Sequence, residues 1–460
     1  LSRNAGLMRP GYKPLTRDAL RGAAVRVQTG PAPISLECGS PMLRLSGLSC
    51  ATLAIALAAA APVLAKTQHA ATAADSGANG DTGKIGATAA PSGPPPTPDS
   101  PIADKNTPQP PALPDMTSYV LMDAKTGAII AEAAPHLQVP PASLTKLMTA
   151  HLVYQALHHG SLKLDQTVPV SVDAWHQQGS TMFIQPSSVV NVDQLLHGLI
   201  IVSGNDAATA LAEQVAGSTG AFVQMMNDMA RKLDMTDTNY TNPTGLPDPA
   251  LRTSSMDVAK LSRAILQDEP EILDISKEQS YTYGGITQRS WNPVLFKDPT
   301  VDGLKTGLTR EAGHCIDATA KRGDMRFIAV VTGGPTWGES TAAVESLLDY
   351  GQRFFTDMQI ATANQPIDTL KSEALNSGQV AVGTAQDIVL TVPVDAQKAI
   401  THSITYTADL TPGVKKGETL GSVTYSANGK ALASVPVIAL ADSPPASFIT
   451  KLKNKIRKML

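Results

Sequence analysis

The sequence has few of the residues that would place it in several common classes of protein. Its three cysteines are too few for a disulfide framework. Lysine plus arginine (37) nearly balance aspartate plus glutamate (40), so the overall charge gives no sign of a nucleic-acid partner. The nine histidines form no cluster with metal-ligand spacing, and we expect neither a metal nor another cofactor. A length of 460 residues predicts two or three domains.

The first 115 residues carry no catalytic pattern. Residues 42–65 have the features of a signal peptide: a positive start at Met42-Leu43-Arg44, a small apolar run, and a small-x-small end at Val63-Leu64-Ala65. Residues 1–41 do not suit an export signal, so we interpret them as an extension from a misassigned start. An arginine-rich transit peptide is the alternative. Residues 66–115 are rich in Ala, Pro, Gly, Ser and Thr, which predicts a disordered spacer.

The first candidate catalytic motif is Ser143-Leu144-Thr145-Lys146. Pro140-Pro141 excludes a helix before it, and apolar residues at helical spacing follow as far as Gly160, so Ser143 is predicted at a helix N-terminus. Lys146 then lies one turn further on the same face. A serine hydroxyl needs a base within hydrogen-bond reach, and a lysine amine is a base only when burial or a neighbouring cation lowers its pKa. Alone, the motif is more typical of an N-cap serine beside a solvated lysine.

The second motif is Ser203-Gly204-Asn205, which lies between an apolar run and an alanine-rich segment ending at Gly217. This pattern predicts a turn between two buried elements. The serine hydroxyl could relay a proton, and the asparagine amide could bind a substrate amide. Alone, the motif is more typical of a turn with a helix N-cap.

The third motif is Lys305-Thr306-Gly307, in a predicted strand over residues 301–307. Predicted strands at 314–320 and 325–332 complete an antiparallel meander. The edge of the first strand offers main-chain hydrogen bonds to an extended peptide, and Lys305, Thr306 and Thr309 offer donors to a carboxylate. Alone, the motif fits a surface strand with a solvated lysine. All three motifs in this order indicate a serine acyl-transfer site.

The motifs and their surroundings closely resemble the D-alanyl-D-alanine carboxypeptidase family, the low-molecular-mass penicillin-binding serine peptidases. The resemblance covers about residues 117–355 and continues more loosely to residue 460. It implies an α+β, serine transpeptidase-like (β-lactamase-like) domain over residues 116–358, with an antiparallel sheet flanked by helices. Short alternating apolar runs after residue 380, together with the hairpin turn signal Asn428-Gly429, predict a small all-β domain over residues 364–441. The motifs that carry the resemblance are Pro140-Pro141-Ala142-Ser143-Leu144-Thr145-Lys146, Ser203-Gly204-Asn205-Asp206, Asn242-Pro243-Thr244-Gly245-Leu246-Pro247 and Asp302-Gly303-Leu304-Lys305-Thr306-Gly307.

The resemblance implies a role for each motif residue. Ser143 would be the acyl-ester nucleophile, Lys146 its base, and Ser203 a proton shuttle. The implied oxyanion hole uses the backbone N–H groups of Ser143 and Leu308. The implied substrate is a peptidoglycan stem pentapeptide ending in D-Ala-D-Ala, and β-lactam antibiotics would acylate the same serine. The expected substrate-binding residues are Asn205, Lys305, Thr306, Gly307, Leu308 and Thr309.

Three positions depart from the family's pattern. Leu308 stands where relatives often have histidine, which leaves a backbone donor unaffected. Ser340 stands where relatives often have an arginine that supports the substrate's terminal carboxylate. Asp317 stands where an apolar strand residue is usual.

Two other functions are compatible with the motifs. A class A β-lactamase needs a glutamate that acts through water in deacylation, and no Glu-x-x-x-Asn pattern occurs between Asn205 and Lys305. The second alternative is a catalytically inactive cell-wall-binding protein. The intact residues Ser143, Lys146 and Lys305 argue against it.

The last residues, 446–460, combine an apolar stripe with basic residues and contain no acid. This pattern is typical of an amphipathic helix bound to an anionic membrane surface and too short to span it. A solvated basic tail is the alternative. We therefore expect an exported enzyme on the periplasmic, extracytoplasmic face of the cytoplasmic membrane. The apolar stripe comprises Phe448, Ile449, Leu452, Ile456, Met459 and Leu460, and the basic residues are Lys451, Lys453, Lys455, Arg457 and Lys458.

Overall fold

The computed structural model describes residue 95 and residues 97–450. The proposed extension (1–41), the signal peptide (42–65) and most of the spacer lie outside the described residues. So does the part of the tail that follows residue 450. Within the described part of the chain, no helix is both long enough and apolar enough to cross a membrane.

The first domain combines an antiparallel sheet with helices on both faces. Its elements, in chain order, are β1 (Ser118–Asp123), β2 (Ile129–Ala133), α1 (Thr145–His158), β3 (Thr167–Val168), α2 (Val172–Trp175), β4 (Val190–Asn191), α3 (Val192–Ile200), α4 (Asn205–Ala216), α5 (Thr219–Lys232), α6 (Ser255–Asp268), α7 (Ile272–Ser276), β5 (Ser280–Tyr283), β6 (Ile286–Arg289), β7 (Val301–Thr309), β8 (Gly313–Arg322), β9 (Met325–Gly334) and α8 (Trp337–Phe354).

The main sheet has five strands in the order β2-β1-β9-β8-β7, so β7 is an outer strand. The meander β7-β8-β9 that the sequence predicts is confirmed. Successive side chains of a strand point to opposite faces, and in β8 Ile316 packs toward α8 while Cys315 packs toward α1. Each face therefore has its own apolar core, and each fully buried aliphatic side chain contributes about 1.5–3 kcal/mol.

Residues 97–115 differ from the disordered spacer that their composition predicts. Asp99 and Glu132 exchange two backbone hydrogen bonds of 2.8 Å, which pins this segment to β2. The hydroxyl of Tyr350 donates to the carbonyl of Pro108, and that of Tyr119 donates to the carbonyl of Pro111. These tyrosine hydroxyls satisfy carbonyl groups of a proline-rich backbone that forms no strand of its own.

The C-terminal region is the all-β domain that the alternating sequence pattern predicts. It begins at Phe355, directly after α8, and its two sheets are β10-β13 and β11-β12-β16-β15-β14. Asn428 and Gly429, with φ of 50° and 83°, form the predicted tight turn between its last two strands. Its strands are β10 (Phe355–Ala361), β11 (Pro366–Lys371), β12 (Gln379–Gly383), β13 (Ile388–Pro393), β14 (Ile400–Tyr406), β15 (Thr419–Ala427) and β16 (Lys430–Ala439).

Candidate active site

Ser143 lies in a single 3-10 turn, Ala142–Leu144, that leads directly into α1. Two glycines make room for this turn. A Cβ atom on Gly245 would lie 1.9 Å from the carbonyl oxygen of Ala142, and one on Gly307 would lie 3.1 Å from the backbone nitrogen of Ser143. Gly245 also has a φ of 86°, which other residues rarely adopt. The backbone at Ser143 is therefore held between the loop at Gly245 and strand β7.

Lys146 is fully buried, and its Nζ lies 3.0 Å from the Oγ of Ser143. The same Nζ lies 2.6 Å from the side-chain oxygen of Asn205 and 2.6 Å from the backbone carbonyl of Thr244. A carbonyl oxygen accepts but cannot donate, so these two contacts take two N–H bonds of the lysine. In the neutral amine the remaining lone pair then points to the Ser143 hydroxyl, which can donate to it. This arrangement would allow the amine to accept a proton from the hydroxyl.

The surroundings of Lys146 favour the neutral amine. Burial lowers its pKa well below the ordinary lysine value, and the positive charge of Lys305 lowers it further. The carboxylate of Asp206 acts in the opposite direction. A lysine with a lowered pKa is uncharged over more of the neutral range, so it can accept the serine proton.

The contact between Lys146 and the Thr244 carbonyl depends on a turn built by Asn242. The side-chain oxygen of Asn242 accepts hydrogen bonds from the backbone N–H groups of Thr244 (3.1 Å) and Gly245 (2.7 Å), and from the Thr244 hydroxyl (2.9 Å). Such an Asx turn fixes the direction of the carbonyl. The sequence supplies the motif Asn242-Pro243-Thr244-Gly245, but its pattern gave no indication that a backbone oxygen would contact the lysine.

Asn205 is the first residue of α4 and uses both ends of its amide inside the protein. Its oxygen accepts from Lys146, and its nitrogen donates to the carbonyl of Gln178 at 2.5 Å. In this state Asn205 positions Lys146 and the loop around Gln178, rather than leaving its amide free for a substrate.

Asp206 is a buried residue of the motif Ser203-Gly204-Asn205-Asp206 to which the sequence assigned no role. Its carboxylate accepts backbone hydrogen bonds from Met182 (3.0 Å), Ile184 (3.2 Å) and Ala207 (2.9 Å). Burial raises its pKa, and these hydrogen bonds partly offset that effect. Asp206 therefore ties the loop before β4 to the start of α4, where Asn205 contacts Lys146.

Ser203 is buried in the turn before α4, with a left-handed φ of 60°. The turn predicted from the sequence is confirmed, since α3 ends at Ile200 and α4 begins at Asn205. Among the described residues, no hydrogen bond joins the Ser203 hydroxyl to Ser143 or Lys146. Ser203 thus lies two residues before Asn205, which contacts Lys146, but in the described part of the chain it has no direct hydrogen bond to Lys146.

Strand β7 forms the opposite wall of the site. Lys305 is buried, and its Nζ donates to the carbonyl of Thr306 at 2.9 Å. Burial lowers the pKa of Lys305 to about 7. Leu308 is 39% exposed, and the Thr309 hydroxyl oxygen accepts from the backbone of Ala312 at 3.0 Å, which shapes the β7–β8 turn. Because β7 is an outer strand, its free edge is open to an extended chain beside Ser143.

A cavity of about 350 Å³ adjoins the turn that carries Ser143. Its lining includes Ala142, Gly245, Arg252, Thr309 and Glu311. The cavity therefore extends from the Ser143 turn to the end of β7 and carries side chains of both charges. Within residue 95 and residues 97–450, no group of three or more His, Cys, Asp or Glu side chains could hold a metal ion.

Ser340 stands at the position where the family pattern has an arginine. It is buried in the first turn of α8, and its hydroxyl donates to the backbone carbonyl of His314 at 2.9 Å. Ser340 therefore links α8 to the sheet and presents no cation to the site.

Two family models match this chain. The model described as D-alanyl-D-alanine carboxypeptidase matches residues 104–336. The model described as the C-terminal domain of penicillin-binding protein 5 matches residues 355–444. The first match contains all three motifs, and the second contains the strands of the β-domain.

Curated relatives and solved structures agree with the two models. The chain is 35% identical to D-alanyl-D-alanine carboxypeptidase DacC of Escherichia coli (strain K12), over 76% of this chain and 89% of the relative. It is 36% identical to DacD of the same strain, over 76% of this chain and 92% of the relative. The structure of penicillin-binding protein 5 from Haemophilus influenzae matches with a TM-score of 0.69 and 33% identity, covering 73% of this chain and 99% of that one.

The fold and the relatives together define a serine peptidase of the transpeptidase-like class, followed in the chain by an all-β domain. The chain belongs to the D-alanyl-D-alanine carboxypeptidase family, and it is a serine-type D-Ala-D-Ala carboxypeptidase. The expected fold class is thereby confirmed.

Proposed function

We propose that the enzyme removes the terminal D-alanine from peptidoglycan stem pentapeptides through an acyl-enzyme on Ser143. Lys146 takes the proton as Ser143 Oγ attacks the carbonyl carbon between the two D-alanines. The C–N bond then breaks, and the leaving amine receives the proton held by Lys146 through Ser203, which returns Lys146 to the neutral amine. Water next attacks the ester, Lys146 takes its proton, and the freed Ser143 oxygen is reprotonated. One peptide bond and one water are consumed, and no other reactant is needed.

The observation that supports this proposal most strongly is the geometry of Lys146. Two carbonyl oxygens, from Asn205 and Thr244, bind its Nζ at 2.6 Å each, and Ser143 Oγ lies 3.0 Å away. A solvated lysine beside an N-cap serine would make none of these contacts. The lowered pKa of Lys146, which follows from its burial, provides the neutral amine that the first step requires.

The remaining motif residues fit roles in binding. In this proposal the backbone N–H groups of Ser143 and Leu308 form the oxyanion hole, where donors stabilise the charge that develops during attack. The free edge of β7 pairs with the extended stem peptide, with Gly307 allowing close approach. Lys305, Thr306 and Thr309 bind the carboxylate of the substrate, and Asn205 adds a substrate contact once bound peptide rearranges its amide.

The same site would react with β-lactams, whose strained amide is attacked by Ser143 and whose carboxylate is bound by Lys305. The test is mass spectrometry of the full-length protein after exposure to penicillin and, separately, to a D-Ala-D-Ala pentapeptide. We expect a stoichiometric penicillin adduct on the Ser143 peptide and loss of one D-alanine from the pentapeptide. Rapid penicillin hydrolysis without an adduct would instead indicate a β-lactamase, and inertness a wall-binding protein.

The Ser143→Ala variant makes this test specific. It should abolish both the adduct and D-alanine release, because the base then has no hydroxyl to activate. Ser161→Ala is the matched control, since Ser161 is an exposed serine just beyond α1. An adduct that persisted in Ser143→Ala would overturn the mechanism.

We also propose that residues 446–460 attach the exported enzyme to the anionic, extracytoplasmic membrane surface. A helix begins at Phe448, Ser447 Oγ accepts from the backbone N–H of Thr450, and Phe448 and Ile449 are 81% and 65% exposed. These exposed apolar residues are the described start of the stripe that continues to residue 460. Each basic residue near an anionic surface adds about 1 kcal/mol of attraction.

The attachment can be tested by vesicle sedimentation of the mature enzyme. Deletion of residues 447–460 leaves the bridges of Ser443 to Val414 and of Pro445 to Leu375 in place. The truncated protein should lose binding to anionic vesicles and keep penicillin acylation. High salt should weaken binding of the intact protein. Unchanged sedimentation after truncation would contradict the role of the tail.

A further inference from the structure

The cavity beside the Ser143 turn carries charged side chains that the proposed reaction does not use. Its volume of about 350 Å³ is near the lower end of the roughly 300–1,000 Å³ that is typical of ligand sites, so it suits one long side chain rather than a whole peptide. Arg252, Asp248 and Glu311 bring charges of both signs to a lining that is otherwise largely apolar. The apolar lining residues are Pro140, Ala142, Pro247, Pro249 and Leu251.

The backbone of Arg252 is held in place, whereas its guanidinium has donors to spare. Arg252 and Asn239 exchange two backbone hydrogen bonds, of 2.9 Å and 3.1 Å. The Nη1 of Arg252 donates to the carbonyl of Leu251 at 2.7 Å. Among the described residues, no carboxylate lies within 4.0 Å of this guanidinium. A guanidinium has several N–H donors in a planar fork that matches a carboxylate, so Arg252 can still bind one.

Glu311 and Asp248 supply the opposite charge. Glu311 is exposed in the turn between β7 and β8, and Asp248 Oδ1 accepts from the backbone N–H of Ala250 at 2.8 Å. In the part of the chain that the structure describes, neither carboxylate has a lysine, arginine or histidine nitrogen within 4.0 Å. The cation and the anions of the cavity therefore do not neutralise each other by direct contact. A group that itself carries both charges would match this lining.

The direction of the proposed substrate brings its acyl part toward this cavity. In the proposed complex, Lys305 binds the terminal carboxylate and the backbone N–H of Leu308 binds the reacting carbonyl. Because Lys305 precedes Leu308 in β7, the bound peptide runs antiparallel to the strand. An extended residue spans about 3.3 Å, so the residue before the D-Ala-D-Ala pair lies just past Leu308. That position is at the end of β7, where the cavity includes Thr309 and Glu311.

We propose that the cavity binds the side chain of the residue that precedes D-Ala-D-Ala, and that it selects a side chain ending in both a carboxylate and an amine. Arg252 binds the carboxylate, while Glu311 and Asp248 attract the amine. The apolar lining contacts the aliphatic part of the same side chain. Arg252 and Glu311 are then specificity residues, remote from the bond that breaks. The inference rests on the proposed function, from which it takes the direction of the bound peptide.

The test is release of D-alanine from three pentapeptides that differ only in the residue before D-Ala-D-Ala. Its side chain ends in a carboxylate and an amine in the first peptide, in an amine alone in the lysine peptide, and in a methyl group in the norleucine peptide. Since the reacting bond is the same, ratios of kcat/KM isolate the contribution of this side chain. In the wild-type enzyme the two-charge peptide should exceed the lysine peptide by about tenfold, as expected for a charge-assisted hydrogen bond. The lysine peptide should exceed the norleucine peptide by about two- to fivefold, as expected for an exposed ion pair.

Two variants should separate the two preferences. Arg252→Gln should abolish the advantage of the two-charge peptide over the lysine peptide, and Arg252→Lys should restore part of it, because lysine keeps the charge without the planar fork. Glu311→Gln should reduce the advantage of the lysine peptide over the norleucine peptide. Arg231→Gln and Asp324→Asn are the matched controls, at exposed residues near the end of α5 and in the turn between β8 and β9. Both controls should keep the wild-type ratios.

The outcomes separate this inference from the proposed function. D-alanine release by the wild-type enzyme without a preference for the two-charge peptide would overturn the inference alone. So would a preference that survives unchanged in Arg252→Gln. If the wild-type enzyme released D-alanine from none of the three peptides, the proposed function would fail, and this inference with it. Thermal unfolding of each variant shows whether it is folded under the assay conditions.

Discussion

The two domains of this enzyme bury different kinds of side chain. In the first domain, the seam between α1, α4 and the sheet buries Lys146, Asp206, Lys305 and Asp317. In the C-terminal β-domain, the buried polar side chains among the described residues are uncharged, and its cores consist of residues such as Leu420 and Val437. The first domain therefore buries ionisable side chains at an energetic cost, whereas the described part of the second domain buries apolar and uncharged polar side chains.

The difference shows where function and stability conflict. A buried ionisable group destabilises the fold unless it is neutralised or paired, whereas a buried aliphatic side chain stabilises it. Groups with strongly perturbed pKa values cluster at active sites because catalysis requires them. This difference between the domains can be tested by removing a buried charge or an apolar contact and measuring whether reactivity or stability changes.

The largest effect on reactivity is expected for Lys146→Ala. Without the base, acylation by penicillin should slow by about 10²–10⁴-fold. Stopped-flow or quenched acylation kinetics measure the change. Lys163→Ala, at an exposed lysine beyond α1, is the control and should acylate normally. A loss smaller than about tenfold would mean that another group serves as the base.

A smaller effect is expected for Lys305→Gln. A hydrogen bond to a charged group contributes about 1.5–3 kcal/mol, so kcat/KM for a carboxylate-bearing substrate should fall by about 10- to 100-fold. A small neutral ester should lose less. Lys321→Gln, at an exposed residue of β8, should change neither value. Equal losses on both substrates would show that Lys305 acts through general electrostatics or through the fold.

The smallest effect on reactivity is expected for Leu420→Ala in the β-domain. Leu420 is fully buried, so the truncation should destabilise that domain by about 2–5 kcal/mol. Differential scanning calorimetry should show the loss, while the acylation rate constant at room temperature stays at the wild-type value. Val394→Ala, at a residue that is 43% exposed, is the control for both measurements. A matching fall in acylation would show that the two domains are coupled.

The elements that were predicted from sequence depend on local patterns. The helix after Ser143 follows from two prolines and apolar spacing, and the meander β7-β8-β9 from short apolar strands joined by turn residues. The turn at Asn428 and Gly429 requires two positive φ angles, which these residue types allow. Each of these features is decided by residues close together in the chain.

The features that the sequence did not reveal depend on contacts between distant residues. The carbonyl of Thr244 accepts a hydrogen bond from Lys146, which is 98 positions away in the chain. Because this acceptor is a backbone atom, the sequence pattern does not indicate the contact. The segment 97–115 is ordered by Tyr350, which lies 242 positions from Pro108. Composition predicts whether a segment can build its own core, but not whether another part of the chain supplies hydrogen bonds to it.

The most direct test of the central claim is the charge of Lys146 in the resting enzyme. Lysine labelled with an NMR-active carbon at Cε reports the ionisation of each amine, and Lys146→Ala assigns the signal. We predict a pKa far below the ordinary value of about 10.4, which rises when Lys305→Gln removes the neighbouring positive charge. A Lys146 signal that stays charged until an ordinary lysine titrates, and that ignores Lys305→Gln, would contradict the account.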